Sequence, residues 1–111
     1  MKIIIGALLI SISSIANAGY TDGNELQRWL SNSETAEDFS YEKAYGTGIF
    51  RGYVSGVVDV GDGRLFCTGK GVTRGQYTAV VIKYIKENPE QWNLSASELV
   101  INGLKKAFPC K

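Results

Sequence analysis

Two cysteines, Cys67 and Cys110, constrain this chain more than anything else in it, because the residues ahead of them direct it to a compartment where thiols pair. Met1 and Lys2 form a short positive start. Ile3 to Ile12 is an apolar run broken only by Gly6 and Ser11, and Ala16-Asn17-Ala18 has the small-x-small form of a cleavage site. That is the pattern of a secretory signal peptide over residues 1–18, and the run is too short for a bilayer. No cysteine follows the small residues directly, which argues against a lipoprotein. Removing 18 of the 111 residues leaves 93, Gly19 to Lys111. No second apolar run there is long enough to span a membrane. In an oxidising compartment two cysteines have one intramolecular pairing. Cys110 lies 43 positions after Cys67. Closing a loop of that length is worth about 4 kcal/mol by chain entropy, a large share of a small domain's stability.

Composition narrows the function by exclusion. The full chain has 12 Lys and Arg against 11 Asp and Glu, and loss of Lys2 brings the balance to zero. A neutral, mixed surface lacks the basic stripe that nucleic acid or an anionic membrane surface requires. The length suits one domain with a modest core, for which a disulfide is a natural staple. There is no histidine. No Ser-His-Asp or Cys-His set is therefore available, and two cysteines alone make a poor metal site. Asp59 and Asp62 are close in sequence but flank Gly61 at a helix end, where charged pairs are mostly solvated. The reading is a binding protein, not an enzyme, with no cofactor and no metal.

The remaining sequence reads as four helical segments. The first spans about Asn24 to Leu30, capped by Asp22 or Asn24, with Leu26, Trp29 and Leu30 on one face. Ser31 to Ser40 is polar and acidic and reads as a solvated connection. The second helix spans about Tyr41 to Val60 and carries Gly46, Gly48, Gly52 and Gly56. Gly48, Gly52 and Gly56 recur every fourth residue and so share a stripe. Such a stripe admits a close helix, either inside the monomer, the favoured reading, or across a homodimer seam. Gly61 stands where a left-handed cap would end the helix. The following loop holds Gly69-Lys70-Gly71, but no hydroxyl residue follows Lys70 and no strand precedes it, so it is no phosphate-binding loop. Thr73-x-x-Gln76 is a capping box that starts the third helix. Tyr77, Val80, Val81, Tyr84 and Ile85 form its apolar face, and Asn88-Pro89 stops it. A short loop, Pro89 to Asn93, holds Trp92. Ser95-x-x-Glu98 is a second capping box, opening a helix that runs through Ala96, Leu99, Val100, Leu104 and Ala107. Phe108-Pro109-Cys110 brings the tail back to Cys67. The expected fold is all-α, a small antiparallel bundle of about four helices with one intramolecular disulfide.

The spaced motifs also carry a resemblance. F-R-G-Y-V-S-G-V-V-D begins at Phe50, F-C-T-G-K-G-V-T-x-x-Q at Phe66, V-V-I-K-Y-I-K-E-N-P-E at Val80, and A-F-P-C closes at Cys110. In this series the chain resembles the Rap/Tai family of immunity proteins over most of residues 19–111. The resemblance implies a small secreted helical protein that binds and silences a cell-wall amidase delivered by type VI secretion, with the periplasm as its place of action. It implies a cognate peptidoglycan amidase effector as partner, inhibited by residues that plug its cleft. The best match for a protruding contact is Asn88, Pro89, Glu90, Gln91 and Trp92. Trp92 is read either as an aromatic interface anchor or as a lid folded onto the core. The chain departs from the family in three places. Leu30 and Phe50 stand where many relatives have a second cysteine pair, Thr68-Gly69 follows the first motif cysteine where proline is common, and Asn88 precedes Pro89 where histidine is common. A second class of function, a small one-disulfide periplasmic stress chaperone of the HdeA kind, fits the size and compartment but not the motif series.

Overall fold

The structure is a computed structural model that describes residues 21–111, so the leader expected at residues 1–18 lies outside it. Four α-helices form the domain: α1 (Gly23–Thr35), α2 (Tyr41–Gly61), α3 (Arg74–Glu87) and α4 (Ala96–Ala107). The α1 helix packs mainly along α2 and α3 mainly along α4, giving two hairpins around one core. Leu26, Phe50, Val54, Phe66, Val81, Ile85, Leu99, Val100 and Leu104 are buried in that core. A short backbone pairing joins the hairpins at one end. Gly23 N–H donates to the Leu94 carbonyl at 2.8 Å and Ala96 N–H donates to the Thr21 carbonyl at 2.7 Å.

Local chemistry accounts for the helix starts. Asp22 caps α1, its carboxylate accepting from the Glu25 N–H at 2.9 Å. Ser40 caps α2 through the Lys43 N–H. Both bonds of the Thr73/Gln76 capping box form, at 3.1 and 2.8 Å. At α4 the Ser95 hydroxyl accepts from the Glu98 N–H at 3.3 Å, while the Glu98 side chain is exposed and makes no return bond among the described residues. The α3 helix ends at Asn88, where Pro89 forbids another helical turn and opens a single 3-10 turn over Pro89–Gln91. Ala107 completes α4 but faces solvent.

The expected connection at Ser31–Ser40 is half helix. The α1 helix continues to Thr35, with the Ser33 and Thr35 hydroxyls donating to the Leu30 and Ser31 carbonyls and Glu34 paired with Lys86 at 2.9 Å. The stretch also lies against α2. A Cβ on Gly46 would stand 2.7 Å from the Trp29 carbonyl and 3.0 Å from the Asn32 Cβ.

Two glycine expectations are corrected. Gly61 is the last helical residue and not a left-handed cap; Asp62 follows with φ −62° and ψ 135°. Gly61 is required because the Phe66 ring lies 2.8 Å from where its Cβ would be, and the positive φ falls on Gly63. The stripe of Gly48, Gly52 and Gly56 does not pack inside the monomer. Apart from Gly61 at its end, the buried positions of α2 are Gly46, Phe50, Val54 and Val58, also four apart. A set offset by two residues lies about 200° round the helix. Gly48, Gly52 and Gly56 accordingly face solvent with nothing within 4 Å of an added Cβ. Gly52→Ala should then raise the stability of the monomer by about 1 kcal/mol through helix propensity alone. Denaturant unfolding measures it, and a loss of stability would mean the stripe is packed after all.

The disulfide forms as expected between Cys67 and Cys110, with Cα atoms 4.9 Å apart. It ties the loop before α3 to the tail after α4, reinforced by the Cys67 N–H donating to the Phe108 carbonyl at 2.8 Å. Asp62 organises the same loop, its carboxylate accepting from the Thr68 N–H at 2.9 Å and the Thr68 hydroxyl at 2.8 Å. The Thr68 backbone bond, then its hydroxyl, hold the Asp62 carboxyl below its usual pKa. Gly69 and Gly71 both adopt positive φ in this exposed loop, which follows a helix.

Candidate functional site

The Asn88–Trp92 loop is rigid, and most of its side chains hold it in place. The Asn88 side-chain amide donates to the Tyr84 carbonyl at 2.8 Å. The Gln91 side-chain oxygen accepts from the Tyr84 hydroxyl at 3.0 Å and the Asn102 amide at 3.4 Å. Trp92 folds back. Its indole N–H donates to the Ile85 carbonyl at 2.9 Å, its ring packs on the core, and its own carbonyl accepts from Asn24 at 3.0 Å. A Cβ on Gly23 would meet that carbonyl at 2.7 Å, so α1 begins pressed against the loop. Of the two readings open for Trp92, the structure has the lid. The side chains the loop presents to solvent are Pro89 and Glu90, followed by Asn93.

The exposed face of α2 lines a shallow apolar groove with α4. Gly52 and Gly56 form its floor and Val57, Val60 and Ile101 its walls. Val60 is 67% exposed, high for a valine in a small domain. Tyr53 and Ser97 close the groove's inner side. Burial pushes the Tyr53 phenol above its ordinary pKa, with Ser97 opposing the shift.

Sequence reading passed over a third surface, the turn between α1 and α2. Phe39 is fully exposed, at 105% of its reference area, and its φ is +62°. A non-glycine residue in that left-handed region costs about 1–2 kcal/mol. Tyr41 and Tyr45 follow one helical turn apart and stack, ring centroids 5.6 Å apart at 21°, and both are exposed. The Asp38–Lys43 ion pair at 2.9 Å and the Ser40 N–H bond to the Glu37 carbonyl at 3.1 Å fix the turn. One signal was available: Phe39 is the lone aromatic of a polar stretch, with only the small Ala36 apolar at helical spacing before it.

These surfaces offer contact and little chemistry. The chain has no histidine and its cysteines are joined, so no thiol- or imidazole-based catalytic set exists. Among the described residues no three acidic or cysteine side chains gather where a metal ion would sit, and no helix is long and apolar enough to cross a membrane.

A family model described as Rap1a immunity proteins matches residues 22–110, from the α1 cap to the second disulfide cysteine. No curated protein matches the chain.

Proposed function

The chain belongs to the family of Rap1a immunity proteins, and from that premise we propose that it protects a bacterial periplasm by inhibiting a peptidoglycan amidase of a type VI secretion system. Membership makes it a non-enzymatic binding protein whose partner is a toxin effector. The observation that carries the reading is the extent of the match, which covers the whole disulfide-closed domain and not a single motif. The periplasm is supported by the leader pattern of residues 1–18 and by a disulfide that needs an oxidising compartment. Inhibition by occupying the amidase cleft is supported by the rigid 3-10 turn, which presents Pro89 and Glu90 on a loop already held in one conformation. A homodimer through the Gly52–Gly56 groove belongs to the same proposal. Gly52→Leu adds bulk where the monomer has open space, so it should leave the fold intact and shift sedimentation toward monomer.

Protection in cells tests the reading. A host that exports the cognate amidase to its periplasm should lyse alone and survive with the full chain. It should lyse again when residues 1–18 are removed. Lysis despite the full, exported chain would refute the proposal.

A further inference from the structure

We infer that the α1–α2 turn is a second contact surface, on which Phe39 enters an apolar pocket of the toxin effector whose rim carries Lys or Arg side chains. The inference rests on the effector-binding reading above and adds the element that binds and the chemistry it fits.

Phe39 has no reason to be phenylalanine in the isolated chain. Its side chain is fully in water and its backbone holds a left-handed φ that glycine adopts without strain. Hydration and backbone energy therefore both favour a smaller residue. A side chain unfavourable on both counts, and without contacts to the core, gains its stabilisation outside the chain. Tyr41 and Tyr45 extend the same surface as a stacked pair, 75% and 46% exposed. Aromatic rings of this kind anchor interfaces because they cover much area with few rotatable bonds.

The turn is also presented rigidly. Ser40 caps α2, Asp38 pairs with Lys43, and Gly46 brings α2 against the Trp29 carbonyl one turn further on. Little conformational freedom remains to be lost on binding. One ion pair links its helix to the helix that precedes the loop proposed above. The Lys86–Glu34 pair joins the last turn of α3, from which the Asn88–Trp92 loop leaves, to the last turn of α1, from which the aromatic turn leaves.

Charge selects the occupant. Glu34 and Asp38 are neutralised by Lys86 and Lys43, whereas Glu37 and Glu42, flanking Phe39 in sequence, have no cationic partner among the described residues. Uncompensated carboxylates around an aromatic tip suit an apolar pocket with a basic rim. They oppose a second copy, since a two-fold contact of turn on turn sets like charges against each other. An anionic lipid surface is opposed in the same way.

The test uses the mature, disulfide-bonded protein and the purified cognate amidase effector. Phe39→Gly should melt at or slightly above the wild-type temperature. It should bind the effector about 30-fold more weakly, the size expected of an aromatic anchor. Glu37→Lys with Glu42→Lys should slow association at low salt about tenfold, with the difference shrinking at high salt. If wild type binds tightly and Phe39→Gly binds equally well, this inference fails while the effector reading stands. A lowered melting temperature for Phe39→Gly would assign Phe39 to the fold and also overturn it. Loss of self-association without loss of effector binding would assign the turn to a second copy. No binding by wild type would overturn the effector reading and this inference with it.

Discussion

Cys110→Ser should lower the stability of the mature protein by about 4 kcal/mol, the entropy of opening a loop whose ends are 43 residues apart. A loss of that size moves the melting temperature of a domain this small by roughly 20 °C. The effect should exceed that of an ordinary cysteine replacement because the bridge sits beside several other constraints. Phe66, next to Cys67, is fully buried against Gly61. The Cys67 N–H bond to the Phe108 carbonyl holds the tail along the same loop. Opening the bridge frees the tail and loosens the segment that seats Phe66. Thermal melts of oxidised wild type and Cys110→Ser decide it. A shift of only a few degrees would show that packing alone holds the tail.

Trp92→Ala should cost about 3 kcal/mol, at the lower end for removing a large aromatic because the ring is only half-buried. Two losses add. The core loses the ring packed on it, and the Ile85 carbonyl loses the indole N–H that satisfies it. The damage should reach α1 as well, since the Trp92 carbonyl accepts from Asn24 and lies against Gly23. Unfolding in denaturant should show a lower midpoint, and binding should weaken only as far as the loop loses its shape. Wild-type stability combined with a large loss of affinity would return Trp92 to the interface.

What the sequence revealed follows how local each feature is. The Thr73/Gln76 box and the Asn88-Pro89 stop act within four residues, and both fall where the pattern puts them. The cysteine pairing needed only a count and a compartment. The extension of α1 to Thr35 was hidden because its residues are polar; what keeps them helical is α2 lying across them at Gly46, a distant contact. The glycine stripe is legible as a stripe, but its direction is not. Phe50, Val54 and Val58 mark the inward face of α2, and the larger apolar residues outrank the small ones in deciding which side is buried. Gly61 is glycine because of the Phe66 ring, which lies five residues on and leaves no local sign of the contact. The candidate site was least legible. Whether Trp92 projects or folds back depends on a bond to Ile85 on the neighbouring helix. The exposure of Phe39 is a tertiary property with no periodic signature.

The account stands on one claim, that this helical domain binds and silences a cell-wall amidase. The most direct measurement titrates the oxidised, mature protein into the purified cognate amidase while following peptidoglycan hydrolysis. The account predicts that activity falls in proportion to added protein and vanishes near equal molar amounts, as tight occupation of the cleft requires. Undiminished hydrolysis in the presence of a large molar excess would contradict it.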